Sequence, residues 1–251
     1  ERAVAAAQDL RPTVQTATAS QPEFRLALWD YLARLADEDR VADGRRMLAE
    51  QAGVLPALRA AHGLDGATVV AVFGVETDYG RVKGRHPVVD ATLSRSCLRP
   101  ADAERRAHFF AALQLLERGQ VEPAAFLGSW AGAFGMTQFM PGTFVAWQAD
   151  GDGDGRVDIL GSVPDALATT ARYLRGMGWR DGLPWGVEVR ADAAFASLHA
   201  PESAHGCLAT TEASPRCRAV ADWTAAGLRG LDGAPVALPP EARAALLMPA
   251  G

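Results

Sequence analysis

Val69-Val70-Ala71-Val72-Phe73-Gly74-Val75-Glu76-Thr77 is the stretch that decides how this chain folds. Its first seven residues carry no polar side chain. The β-branched residues suit a buried strand, and an apolar run this short does not separate strand from helix by periodicity. Its position between helical hairpins and the small residues around it favour a buried helix over 67–75. In either form Glu76 stands at the edge of an apolar segment, where ionisation is costly and the pKa should rise. A carboxylic acid kept protonated in a cleft is what general-acid catalysis needs. The competing reading is an ordinary helix-end glutamate that reaches solvent.

Helical spacing continues outward on both sides. Upstream, Phe24, Leu28, Tyr31, Leu32 and Leu35 form one apolar stripe, with Pro22 in its first turn. Residues 40–58 read as a second helix, and Gly63 ends the turn after it. Downstream, 101–118 reads as a helix opened by Pro100 and Asp102 and closed at Gly119. Residues 123–128 read as a short helix, Pro141 opens one that carries Phe144 and Trp147, and Pro164 starts one that Gly176 and Gly178 end. After Trp179 the character changes: Val187-Glu188-Val189 alternates like a strand, and Pro, Gly and short apolar runs replace the helices. The expected organisation is a helical region over 1–180 and a smaller loop- and strand-rich part over 181–251.

The 251 residues, 49% of them apolar, allow a sizeable core. A net charge of −5 without a dense Lys/Arg cluster argues against a nucleic-acid partner. No run approaches the ~18 apolar residues of a membrane span. The chain opens at Glu1 without Met, which points to a leader or anchor removed upstream; a lipid anchor is not readable. Cys207 and Cys217 lie ten residues apart in a loop-like stretch and suit a short disulfide of an exported protein, against two free thiols. Cys97 is left over.

Two further motifs carry chemistry. Asp150-Gly151-Asp152-Gly153-Asp154-Gly155-Arg156-Val157-Asp158 sets carboxylates at loop positions 1, 3 and 5, Gly at 6 and an apolar residue at 8. This is the EF-hand pattern, in which alternate oxygens wrap one hard cation, and position 7 offers the Arg156 carbonyl. Position 12 is Gly161, so the closing carboxylate should come from Asp165. Such a single hand suits a structural Ca2+ site rather than a sensor. A solvated acidic turn is the alternative. In Gly128-Ser129-Trp130-Ala131-Gly132-Ala133-Phe134-Gly135-Met136-Thr137-Gln138-Phe139-Met140-Pro141, glycines permit close approach, Ser129 and Gln138 offer hydrogen bonds, and the aromatic residues offer flat surfaces. A tightly packed helix junction would look the same. A nucleophile elbow, a zincin helix, a phosphate loop and a dinucleotide fingerprint are all missing, and the five histidines lack metal spacing.

Gly74-Val75-Glu76-Thr77, the 128–141 segment and the Asp-rich loop, in this order and spacing, resemble the B-type lytic murein transglycosylases. The resemblance runs from Gln21 to Trp179. It implies a mainly α (α+β) fold with a lysozyme-like helical core, an α-rich N-terminal part, a smaller strand-rich part and one EF-hand-like calcium site at 150–165. It implies Glu76 as the single catalytic acid and Ser129 as the contact to the N-acetyl group beside the scissile bond. Gln138, Phe139, Tyr31 and Tyr173 match cleft residues, and Arg105 and Arg106 resemble an Arg pair that meets a peptide or lactyl carboxylate. The family continues beyond where this chain stops, so a C-terminal segment is expected to be missing, with the partner of Cys97 in it.

The implied reaction cleaves the MurNAc–GlcNAc bond of peptidoglycan in a bacterial periplasm, with other cell-wall enzymes as expected partners. Most glycosidases use two carboxylates, and here the only near neighbour of Glu76 is Asp78. One acid suffices if the substrate's own N-acetyl group and C6 hydroxyl complete the reaction, giving a 1,6-anhydro sugar. A true muramidase, or a catalytically silent peptidoglycan-binding scaffold of the same fold, are the competing functions.

Overall fold

The computed structural model describes residues 2–19, 28–182, 186–191 and 217–246. The chain divides into two units, residues 1–175 and 176–251, where the sequence suggested a boundary at 180.

The first unit is helical. In chain order it contains α1 (Arg2–Ala5), α2 (Arg11–Ala19), α3 (Leu28–Leu35), α4 (Glu38–Glu50), α5 (Leu55–His62) and α6 (Gly66–Thr77). After the short strand β1 (His86–Pro87) come α7 (Val88–Leu98), α8 (Ala103–Glu117), β2 (Leu127–Gly128), α9 (Pro141–Trp147) and α10 (Val163–Gly176). The decisive stretch is a helix. Its β-branched residues are overruled by a start signal, since Asp65 caps α6 by accepting from the Thr68 amide at 2.9 Å. Val69, Val70 and Phe73 are at most 2% exposed, so burial on neighbouring helices rather than propensity holds α6 together.

Helix α6 packs on α4 and α5, α7 on α8 and α2, and α8 on α9. Tyr79, just past α6, pegs the α4 contact: its hydroxyl donates to the Arg40 carbonyl at 2.9 Å. A Cβ on Gly74 would stand 2.6 Å from that ring, so only glycine lets the tyrosine lie against the helix. Phe134 joins Phe126 and Phe144 edge-to-face, with centroids 4.9 and 5.4 Å apart.

Two sequence expectations in this unit give way. The single helix over 40–58 is two helices, because Pro56 has no amide to donate back to the preceding turn and is tolerated only in the first turn of α5. The short helix over 123–128 is a turn and strand β2. That segment spends its backbone groups on pairing His86↔Gly128 and Pro87↔Leu127, and Phe126 accepts from the Val88 amide at 3.1 Å. Pro22 and the first part of the Phe24–Leu35 stripe lie outside the described residues.

The second unit holds β3 (Val189–Arg190), β4 (Arg218–Ala219), α11 (Val220–Ala225), β5 (Arg229–Gly230) and β6 (Arg243–Ala244). Strand β3 pairs antiparallel with β5, and β4 with β6. The strand expected at 187–189 starts only at Val189. A separate small core gathers Val220, Trp223, Leu228 and Val236, and the Trp223 indole donates to the Ala244 carbonyl at 2.8 Å. Cys217 is disulfide-bonded, Cys97 is free and exposed, and Cys207 lies outside the described residues.

Candidate active site

Glu76 occupies the last turn of α6, which ends in a left-handed cap at Asp78, φ 51°. The residue presents surface to solvent, yet desolvation by the protein around its carboxyl raises its pKa above the usual glutamate value. Desolvation is the sole cause, with no charged neighbour shifting it. Both readings of the sequence therefore hold in part: Glu76 ends a helix at the surface, and its ionised form is disfavoured.

Asp78 has the opposite environment. It pairs with Arg81 at 3.1 Å and with Arg40 at 3.5 Å, and the Arg81 hydrogen bond, ahead of other causes, lowers its pKa. A carboxylate committed to two guanidinium groups is unsuited to attack or protonate a substrate. Glu76 and Asp78 are two residues apart with their pKa values pushed in opposite directions.

Thr77 is 1% exposed and fixes the end of α6. Its hydroxyl donates to the Met136 carbonyl at 2.5 Å and accepts from the Gly80 amide at 3.0 Å. The 128–141 segment thereby meets the helix that carries Glu76. The segment folds as a tight antiparallel arrangement, with bridges Gly128↔Phe134 and Phe134↔Phe139. Ser129 Oγ accepts from the Ala131 and Ala133 amides at 3.3 and 3.1 Å. Those two donors use its acceptor capacity and leave the hydroxyl hydrogen to give away. Gln138, at φ 51°, donates through its amide nitrogen to the carbonyls of Gly135, 2.9 Å, and Lys83, 3.3 Å. Phe139 is 7% exposed and meets Tyr173 edge-on, centroids 5.5 Å apart, and Trp147 packs on the same tyrosine at 6.1 Å.

Three further expected groove residues lie on α3 and α8. Tyr31 lies half-buried on α3. Arg105 and Arg106 have different partners here. Arg105 pairs with Asp102 at 3.1 Å and lines a cavity of about 240 Å3 with Arg95, Asp102, Glu104, His108 and Met140. Arg106 is exposed and donates to the Pro100 carbonyl.

The Asp-rich loop gathers Asp150, Asp152 and Asp154, each with a carboxylate oxygen within 4.8 Å of the others. Oxygen-only donors on three carboxylates fit a hard divalent cation. Asp165 is not in that group. It is 1% exposed, and its two oxygens accept from the Gly151 and Asp158 amides, both at 2.7 Å. Its carboxylate ties two parts of the loop together through backbone. The loop is joined to the 128–141 segment and to the chain after α6: the Met136 amide donates to the Ile159 carbonyl at 2.8 Å, and Lys83 Nζ to the Leu160 carbonyl at 3.0 Å.

Reading the residues in order assigns no role to Thr77, Lys83, Arg40 or Arg95. Thr77 sits inside the quoted motif, so its place beside Glu76 was the available signal; the others bond to residues far along the chain.

Comparison with known proteins bears on this arrangement. Membrane-bound lytic murein transglycosylase B of Escherichia coli (strain K12) is 34% identical over 126 residues, covering 48% of this chain and 34% of that protein. SltB3 from Pseudomonas aeruginosa, solved in complex with NAG-NAM-pentapeptide, superposes with a TM-score of 0.81 at 38% identity, covering 100% of this chain and 64% of that one. The Escherichia coli transglycosylase SLT35, solved in complex with calcium, superposes with a TM-score of 0.78 at 25% identity over 97% of this chain and 72% of its own. This chain thus spans about a third of the curated relative and under two thirds of SltB3. The family model for the transglycosylase SLT domain matches residues 1–251, and with these relatives it makes the chain a member of the B-type lytic transglycosylases.

Proposed function

We propose that this protein cleaves the β-1,4 bond between MurNAc and GlcNAc of peptidoglycan and leaves a 1,6-anhydroMurNAc end. The observation that carries the reading is the contrast at the end of α6: Glu76 has its pKa raised by desolvation alone, while Asp78 is tied to Arg81 and Arg40. Glu76 is therefore the one acid available there, and it must serve twice.

Protonated Glu76 gives its proton to the glycosidic oxygen as the bond from C1 of MurNAc breaks. The muramyl N-acetyl oxygen stabilises the electron-poor C1, and the Ser129 hydroxyl, with its hydrogen free to donate, orients that carbonyl. Glu76, now a carboxylate, takes the proton from the C6 hydroxyl as O6 bonds to C1. The acid is regenerated and no water is consumed. Gln138, Phe139, Tyr173 and Tyr31 bind the glycan, and Arg105 meets a carboxylate of the lactyl or peptide part.

Asp150, Asp152, Asp154 and the Arg156 carbonyl would hold Ca2+, which supplies charge neutralisation and rigidity to the loop rather than chemistry. The reading fits a protein exported to the bacterial cell envelope, with a Cys207–Cys217 bridge in its second unit.

Digestion of purified murein followed by mass spectrometry of the products tests the function. Anhydromuropeptides are expected. Reducing-end muropeptides would mean hydrolysis by a muramidase, and no cleavage would mean a binding protein.

A further inference from the structure

Arg95, on α7, is a half-buried guanidinium with no carboxylate in ion-pair distance among the described residues. Burial, and after it the Arg105 charge, lowers its pKa. Asp102 and Glu104 act on it only at longer range. A cation kept out of water without an ion pair is costly, and an apolar side chain of similar volume would serve packing alone at least as well. Its hydrogen bonds account for its presence. Arg95 Nη1 donates to the Ala131 carbonyl at 2.9 Å, and the Met140 sulfur lies 3.9 Å from the same nitrogen.

Ala131 sits in the middle of the turn that Ser129 organises. Its amide donates to Ser129 Oγ while its carbonyl accepts from Arg95, so the two peptide units that meet at Ala131 are held one by the serine and the other by the arginine. The turn also lies directly on α7: Gly132, at φ 90°, is so close to Thr92 that a Cβ there would stand 2.5 Å from the threonine methyl. Nothing but Arg95 on α7 supplies a charged donor to this turn among the described residues. Within the turn the Ser129 amide donates to the Ala133 carbonyl at 2.8 Å and the Gly132 amide to the Ser129 carbonyl at 3.0 Å, whereas the Ala131 carbonyl takes its hydrogen bond from outside the turn, from Arg95.

We infer that Arg95 is a positioning residue for Ser129: by holding the Ala131 carbonyl it fixes the turn whose amides occupy the serine oxygen and leave its hydrogen directed at the substrate. The inference rests on the reading of Ser129 as the contact to the N-acetyl carbonyl. Arg95 itself touches no reacting atom.

A mutant cycle on soluble murein glycan fragments tests it, with kcat and KM measured for wild type, Arg95→Met, Arg95→Lys, Ser129→Ala and the Arg95→Met/Ser129→Ala double variant. Arg95→Met should lower kcat/KM by about tenfold, the effect of losing one charge-assisted hydrogen bond. Arg95→Lys, which keeps a donor, should regain most of the loss. The double variant should be within about twofold of Ser129→Ala alone, because coupled residues do not add. Losses that multiply in the double variant, or Arg95→Met within about twofold of wild type, overturn the inference while leaving the proposed reaction intact. Full activity in Ser129→Ala removes the role of Ser129 on which the inference stands, and overturns it as well. Should Arg95→Met fail to melt cooperatively, Arg95→Gln, neutral and still a donor, enters the same cycle and is judged by the same coupling.

Discussion

Glu76 is held in place by its successor as much as by its own helix. The Thr77 hydroxyl links the Met136 carbonyl and the Gly80 amide, and an isosteric Thr77→Val would leave both without that partner in a site that is 1% exposed. The expected cost is roughly 1–3 kcal/mol of stability, read from urea unfolding, together with a fall in kcat larger than any change in KM. Thr77→Ser, which keeps the hydroxyl, should recover most of the activity. Glu76→Gln should abolish cleavage of murein while glycan binding persists; cleavage comparable to wild type would remove Glu76 from the mechanism. The same variant has a second signature. The folded pKa of Glu76 lies above its unfolded value, so its contribution to stability is fully present below the unfolded pKa and is lost as pH rises through the folded one. Glu76→Gln should thus melt as high as wild type, or higher, near pH 7, and the difference should vanish at about pH 3, where both states are protonated. Activity should fall on the alkaline side as Glu76 ionises.

At the scale of elements, α6 depends on its first turn. Asp65 accepts from the Thr68 amide at 2.9 Å and from its hydroxyl at 2.7 Å, and Asp65→Ala should cost about 1 kcal/mol, measurable by denaturant midpoint at unchanged m-value. The Asp-rich loop is coupled to the same helix by a short relay. Thr77 bonds to Met136, Met136 to Ile159, and the neighbouring Asp158 amide to buried Asp165. Cation binding at Asp150, Asp152 and Asp154 should therefore raise the melting temperature, and by about 2.7 kcal/mol of stability at a hundredfold excess over Kd. Chelator should reverse it, and Asp152→Asn should blunt it; a melting curve indifferent to both would exclude the site. These elements were unequally legible. The caps at Asp65, Asp102 and Gly63 and the start of α9 at Pro141 are local signals, and the sequence carries them. Strand β2 was read as a helix because its partner, β1, lies some forty residues upstream, and no local propensity records a pairing at that distance.

At the scale of the whole molecule the chain builds two cores of different kinds. The first is made of helices laid on α6 and α7. The second closes two short strand pairs over Trp223 and Val220, whose amide and that of Ala221 donate to Ala242 and Pro240 at 2.9 Å. Trp223→Ala should cost about 3–5 kcal/mol and should be seen as lost hydrogen-exchange protection at Val220 and Ala221. Where the chemistry lies was legible to the extent that it is contiguous. Glu76 at the end of an apolar run, the aspartates at alternate loop positions and the Gly/Ser/Gln segment each announce a function by neighbours in sequence. The sequence alone therefore determined the mainly helical fold, the place of Glu76 at the end of an apolar run and the oxygen-rich loop, because capping, apolar patterning and alternate spacing of carboxylates act over a few residues. Only the tertiary structure decided that Asp78 is tied to Arg40 and Arg81, that Asp165 binds backbone, that Arg106 donates to Pro100, and that Arg95 grips Ala131. Each of those outcomes is a competition for hydrogen-bond partners between segments far apart in the chain, and folding alone brings the competitors together.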